Sequence, residues 1–377
     1  MSPSTDFQNA ELNFEPVSNA DRPARLDPRR ISIVVACRNE SNHIRAFVDS
    51  LLEQDLEGID WELIIAEGMS VDGTAEYLSE LACGNSNITI IQNYSRIVST
   101  GLNAAIRSAR GDIILRMDAH TEYARDYIKC CLRALDRSGA CNVGGPARTR
   151  ARGLRARAIE AAYHNPLSTG GARFHDESYS GYVDTVPYGC WRKDTLLRLG
   201  LFDEQLVRNQ DDELNLRLRR SGGKIWQSSE IVSWYRPRTT LVSLFHQYFQ
   251  YGFWKVCVIR KHKIPASWRH LIPGGFVLVN LALLFTVLGL AASDSQKATG
   301  KLFLEWAVLL GLYAAGCLIA AIYSARRYGW QLLIYLPLTF PVFHFSYGLG
   351  FLAGLIYWPF AGTQRPQLGN LFEGDTR

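Results

Sequence analysis

The sequence predicts an α/β head built on a Rossmann-like, doubly wound sheet, followed by an α-helical membrane region. The first observation is a change of composition. Residues 31–240 mix charged and apolar side chains, whereas the chain after about residue 271 is almost entirely apolar. The second is the alternation of short β-branched runs with amphipathic stretches through the head, as in strands and helices wound on a parallel sheet. The third is that acidic and polar motifs fall at the ends of those runs, where open α/β sheets bind ligands.

Residues 1–30 are polar, contain proline and lack an apolar core, so a disordered N-terminal tail is expected there instead of a signal peptide. Ile31-Ser-Ile-Val-Val-Ala36 is the uninterrupted apolar run of a strand buried on both faces. From Glu40 to Gln54, the residues Ile44, Phe47, Val48, Leu51 and Leu52 recur at helical spacing and form one apolar face. Trp61-Glu-Leu-Ile-Ile-Ala66 is a second strand, and Asp72-Gly-Thr74 opens a helix to about Leu81 with Asp72 as its cap. Ile88-Thr-Ile-Ile91 is a third strand, a helix from Ser99 to Ala109 follows, and residues 112–117 form a fourth strand.

Residues 241–270 are expected to be an interfacial amphipathic segment, with Trp254 and the phenylalanines at headgroup depth and Lys255 snorkelling. Within 271–360 the stretches 271–292, 302–323 and 332–357 are each long enough to cross a bilayer, giving about three helices before a tail at 361–377. Glu305 and His344 in these spans are expected to be satisfied between packed helices. Arg260-Lys-His-Lys263 and Arg269 precede the first span, and Arg326-Arg327 separate the second from the third. The positive-inside rule then places the head and the 324–331 loop in the cytoplasm of a multi-pass plasma (inner) membrane protein. The net charge of +5 reads as this belt, attracted to anionic membrane lipid. No nucleic-acid recognition motif accompanies it, so nucleic acid is not an expected partner. The eight cysteines show no CxxC spacing and suggest neither a zinc site nor a disulfide framework.

Two acidic clusters carry the chemistry. The fourth strand ends in Met117-Asp118-Ala119-His120, and positions i and i+2 of a strand face the same side, so Asp118 and His120 form a metal-capable pair. Further on, Asn209-Gln-Asp211-Asp212-Glu213 leads into a helix carrying Leu214, Leu216 and Leu218. The helix dipole favours acids in a first turn but accounts for only one or two of these. A metal site with a separate carboxylate base is the equipment for displacing a diphosphate leaving group.

In order and spacing, these motifs resemble the family-2 inverting glycosyltransferases of the GT-A nucleotide-sugar fold. The resemblance is carried by Ala36-Cys-Arg-Asn-Glu40, Glu67-Gly-Met-Ser-Val-Asp72-Gly-Thr74, Gly101-Leu-Asn103, Asp118-Ala-His120, Val186-Pro-Tyr-Gly-Cys-Trp-Arg192, Gly200-Leu-Phe-Asp203-Glu204 and Asn209-Gln-Asp211-Asp212-Glu213. Within that family the chain is most similar to the membrane-anchored, succinoglycan-type exopolysaccharide glucosyltransferases.

The resemblance implies that Glu40 and Glu67 line the base and ribose pocket, with Glu67 standing where aspartate is usual. It implies that Arg96 and Asn103 hold the nucleotide, and that Asp118 and His120 bind Mg²⁺ or Mn²⁺ against the donor's phosphates. Asp211 is the implied base, with Asp212 a competitor because Gln210 replaces the usual glutamate. Processive synthases carry Gln-x-x-Arg-Trp where this chain has Gln247-Tyr-Phe-Gln250-Tyr251, which argues against chain extrusion. The implied reaction moves a sugar from a nucleotide-sugar, UDP-glucose or another UDP-hexose, to a polyprenyl-linked saccharide in bacterial exopolysaccharide or surface-glycan assembly. The Gly-, Ser- and His-rich segment 164–182 is the expected acceptor lid. The alternatives are a polyprenyl-phosphate sugar synthase and a catalytically silent scaffold that recruits other polysaccharide-assembly proteins.

Overall fold

The computed structural model describes residues 30–293 and 296–361, so the two expected tails fall almost wholly outside the described residues. Strands β1 (Arg30–Cys37), β2 (Asp60–Glu67), β3 (Ile88–Gln92) and β4 (Ile113–Arg116) alternate with helices α1 (Ile44–Leu52), α2 (Thr74–Cys83) and α3 (Val98–Ser108). They form a parallel sheet in the order β3-β2-β1-β4. Successive side chains of β1 enter opposite cores: Ile31, Ile33 and Val35 join one apolar cluster, and Val34 joins the other with Leu102 and Ile106 of α3. That two-sided burial is why the strand sequences run apolar without alternation.

The rest of the head departs from the expected all-parallel sheet. It contains β5 (Thr121–Tyr123), α4 (Tyr127–Ser138), β6 (Asn142–Gly144), β7 (Arg148–Thr149), α5 (Leu154–Tyr163), α6 (Pro166–Thr169) and β8 (Gly181–Val183). After these come β9 (Cys190–Arg192), α7 (Lys193–Arg198), α8 (Gln210–Arg220), β10 (Ile225–Gln227) and β11 (Ser233–Tyr235). The main sheet continues β4-β9-β6-β10-β8, with β9 antiparallel to both neighbours and β8 antiparallel to β10. A second small sheet, β5-β11-β7, stands beside it.

Four helices follow the head: α9 (Leu241–His262), α10 (Ile272–Ala292), α11 (Gln296–Tyr328) and α12 (Leu336–Tyr357). Among the described residues, three segments are long and apolar enough to cross a membrane: Trp268–Ala292, Gln296–Tyr328 and Leu336–Tyr357. The expectation for residues 241–270 is corrected here. Trp254 and Phe253 are 0% and 1% exposed, and Lys255 is buried instead of snorkelling. The cause is a glycine seam between α9 and α12. A Cβ on Gly252 would lie 2.0 Å from the Tyr347 carbonyl oxygen, and one on Gly350 would lie 2.0 Å from that of Phe249. The apolar face of α9 therefore meets another helix at backbone contact.

Segment 164–182, expected as a lid, is tied down at its start. Asn165 Nδ2 donates to Ser324 Oγ of α11 at 2.9 Å, and His344 of α12 is 2.9 Å from the Leu167 carbonyl oxygen through Nε2. Because that carbonyl only accepts, Nε2 carries the proton and Nδ1 accepts from the Tyr313 hydroxyl at 2.8 Å.

Helix α8 is fixed to α9 by Glu213, which is fully buried. Its Oε1 lies 2.9 Å from His262 Nε2 and 2.8 Å from Lys261 Nζ, while Oε2 accepts from Arg217 at 2.7 and 2.9 Å. Burial alone would raise this carboxyl; the hydrogen bond from His262 and the charges of Arg217 and Lys261 overcome it and hold Glu213 at about 2. A depressed carboxylate contributes its full stability above its unfolded value and loses it progressively as pH falls from there through about 2. Replacing it leaves Arg217 buried and uncompensated. Glu213→Gln is therefore expected to destabilise the chain by on the order of 3 kcal/mol, read as a fall in apparent Tm in detergent at neutral pH.

Candidate active site

A cavity of about 650 Å³ opens at the C-terminal ends of β1 and β4, with α8, α9 and the membrane helices on its other sides. Arg116, the last residue of β4, lies at its floor with 5% of its side chain exposed. Asp118 lies just past the strand end, and Nη2 of the guanidinium is 3.4 Å from its Oδ1. Nη1 makes a close ion pair with Asp211 Oδ1. One buried cation therefore holds two carboxylates from distant segments, while its Nε has no partner among the described residues.

Asp211 reaches this place because α8 starts abruptly. Asn209 adopts a left-handed conformation (φ 61°), and its side-chain amide donates to the Tyr251 carbonyl oxygen of α9 at 2.9 Å. The first-turn acids Asp211 and Asp212 then line the cavity. Burial pushes Asp211 up to about 6, opposed by Arg116 and reinforced by the charges of Asp118 and Asp212. For Asp212, burial also acts upward but is overcome by the charge and hydrogen bond of Lys255, with His270 and Arg269 adding to it, so its carboxyl lies below the usual range. The two neighbouring acids are thus set apart by their partners.

His120 lines the cavity with its Nδ1 3.4 Å from Glu40 Oε1 and its ring edge-on to Tyr235 at 5.7 Å. Glu40 is 5% exposed, and its Oε2 is buried with no partner among the described residues. A carboxylate behind one ring nitrogen orients the other for coordination. Among the described residues no group of three or more His, Cys, Asp or Glu is placed to cage a metal. An Asp–His pair opening on a cavity instead suits an ion that takes most of its ligands from substrate phosphates and water.

Of the sequence-selected residues, the structure brings Glu40, Arg96, Asp118, His120, Asp211 and Asp212 to one cavity. Glu67 and Asn103 are not among the side chains that line this cavity. Glu67 accepts from the backbone N–H groups of Met69 and Ser70 at 3.0 and 2.6 Å, satisfying its own turn. Asn103 locks α3 to the 202–204 loop through Phe202 and Glu204. Two residues were missed, Arg116 and Lys255. The signal for Arg116 was present: it is the one charge in the strand Ile-Ile-Leu-Arg, two positions before Asp118.

The family model for glycosyl transferase family 2 matches residues 32–187. The head is a family-2 glycosyltransferase domain. The succinoglycan biosynthesis protein ExoA of Rhizobium meliloti (strain 1021) is 28% identical over 295 residues, covering 78% of this chain and 85% of its own length. A dolichyl N-acetyl-α-D-glucosaminyl phosphate 3-β-D-2,3-diacetamido-2,3-dideoxy-β-D-glucuronosyltransferase of Methanococcus voltae is 28% identical over 334 residues, covering 86% of this chain and 97% of its own. A solved mannosyltransferase of Pyrobaculum calidifontis, in complex with GDP-Man and Mn²⁺, superposes with a TM-score of 0.55 at 19% identity, over 85% of this chain and 90% of that one. That likeness shows the GT-A fold.

Because Arg116 and Asp211 share one buried contact, their substitutions will not add. Arg116→Met and Asp211→Asn, measured singly and together by denaturation in detergent, are expected to show a coupling of about 0.5–3 kcal/mol.

Proposed function

We propose that this family-2 enzyme is an inverting, metal-dependent hexosyltransferase that adds one sugar from a nucleotide-sugar to a lipid-linked saccharide at the cytoplasmic membrane face. The observation that carries the reading is Asp211, a carboxylate open to the cavity, held across one guanidinium from Asp118 and raised to about 6. Asp211 accepts the proton of the acceptor hydroxyl as that oxygen bonds to the anomeric carbon. On the opposite face the bond from that carbon to the diphosphate breaks, and the nucleoside diphosphate leaves with the electron pair. One displacement inverts the anomeric centre. Asp118 and His120 would hold Mg²⁺ or Mn²⁺, which supplies charge neutralisation at the leaving diphosphate. The ion pair of Asp212 with Lys255, which holds that carboxyl low, supports Asp211 over Asp212 as the base.

The acceptor class rests on the extent of the cavity, whose walls run from Arg96 and Glu40 to Phe276, Phe343 and Tyr347 of the membrane helices. A sugar carried on a polyprenyl chain is the substrate that spans both environments. The name of the Methanococcus relative, which couples a dolichyl-linked sugar phosphate to a glycosyl transfer, supports the same class. UDP-hexoses, with UDP-glucose first, are the donors to offer.

The test is donor-dependent transfer of label into lipid extract by membranes carrying wild type, Asp118→Ala or Asp211→Asn, with Mn²⁺, Mg²⁺ or EDTA. Metal-dependent labelling is expected, with about 10²–10⁴-fold loss in Asp211→Asn. Equal labelling by wild type and variants would refute the assignment. A product bearing a single sugar on polyprenyl phosphate would replace the proposed acceptor with the phosphate itself.

The pH profile is a second check. Because Asp211 is raised, its inactive protonated form persists to higher pH than for an ordinary aspartate. The acid limb of kcat/KM is expected near pH 6, falling about tenfold per pH unit below it.

A further inference from the structure

The cavity has a polar and an apolar lining, and Lys255, Arg269 and His270 line it together with Asp212 and with aromatic rings of α10 and α12. Lys255 comes from α9, while Arg269 and His270 come from the short turn Trp268–Leu271 that begins the first membrane-length segment. Trp268 of that turn is 70% exposed and Ile272 just beyond it is 52% exposed, the profile of a chain entering the bilayer at headgroup level. The turn is held closely: the left-handed Gly170 lets the Arg269 stem pass where a Cβ would meet its Cδ at 2.9 Å.

Lys255, His270 and Arg269 all act on the Asp212 carboxylate, and Arg269 and His270 lead directly in sequence into the apolar residues that begin α10. Ile272, Pro273, Phe276, Phe343 and Tyr347 belong to the apolar lining. An amphiphile with a saccharide, a phosphate and a hydrocarbon chain has a part for each of these chemistries. Arg269 Nη2 lies 2.8 Å from Asp184 Oδ2, and His270 Nδ1 is buried with no partner among the described residues. Asp184 is the more open member of its pair, 31% exposed against 21%.

We propose that Arg269, His270 and Lys255 form the subsite for the phosphate that joins the acceptor saccharide to its lipid, with the chain leaving along the α10–α12 seam. The proposal rests on the lipid-linked reading of the acceptor. In the free protein Asp184 Oδ2 takes one N–H of the Arg269 guanidinium, at 2.8 Å from Nη2, and the lipid phosphate takes its place, since a guanidinium pairs with phosphate oxygens as it does with a carboxylate. Asp184 is thus a stand-in for the ligand.

The test is the KM for a lipid-linked saccharide acceptor, measured with the full chain in detergent or nanodiscs at saturating donor. Arg269→Gln is expected to raise that KM at least about tenfold with a smaller change in kcat, a loss of the size expected for one charge-assisted contact. Arg269→Lys is expected to recover part of it. Asp184→Asn is expected to leave KM at or below the wild-type value, because it vacates the guanidinium without removing it. With the same saccharide on a phosphate-free alkyl chain, Arg269→Gln and wild type are expected to share one KM.

If Asp184→Asn raises KM as Arg269→Gln does, the pair is only a structural clasp and the subsite is wrong. It is also wrong if Arg269→Gln leaves KM unchanged, or if phosphatidylglycerol vesicles compete with the acceptor as well as the acceptor competes with itself, which would mark a general headgroup site. Failure of the underlying reading looks different: wild type would then transfer to no lipid-linked saccharide in the first place.

Discussion

A guanidinium buried in a protein must be neutralised where it lies, and at Arg116 that requirement brings two segments of the head together. The strand end that carries Asp118 and the helix start that carries Asp211 are 93 residues apart in sequence, as their numbers show. The charge between them offsets the repulsion of two carboxylates that line one cavity. Arg116 makes their approach tolerable while leaving Asp211 with a raised proton affinity. The outcome is one acid tuned towards neutrality, the property a general base requires.

The second tier of order is α9. Its buried face reaches α8 through Lys255 to Asp212 and through Lys261 and His262 to Glu213. Its other face reaches α12 at the glycine seam. The helix is therefore the strut between the chemistry and the membrane-length helices, and this double engagement is why it carries buried charges and aromatic rings along one length.

The first four strands and their helices were legible because each is an uninterrupted apolar run or a clear amphipathic period. Strands β5 to β11 are two or three residues long, too short for any period to form, and the antiparallel insertion of β9 leaves no mark in its own sequence. Asp118, His120 and Asp211 were legible as motifs whose chemistry needs those residue types. The local bonds of Glu67 and Asn103 were not legible, because a carboxylate or amide at the end of an element can serve the backbone around it as readily as a ligand. Helix α9 was misread since aromatic amphipathy looks the same whether the apolar face meets lipid or another helix. Gly252, with Gly350 and Gly354 across from it, distinguishes the two cases.

The seam also has a mechanical consequence. Gly252 and Gly350 each bring one helix to a backbone carbonyl of the other, so a side chain at either position must push the two helices apart. Helix α9 also carries Lys255, Lys261 and His262 to the first-turn acids of α8, so that displacement is felt at Asp212 and Glu213. The two glycines are therefore joints through which a change among the membrane-length helices reaches the cavity.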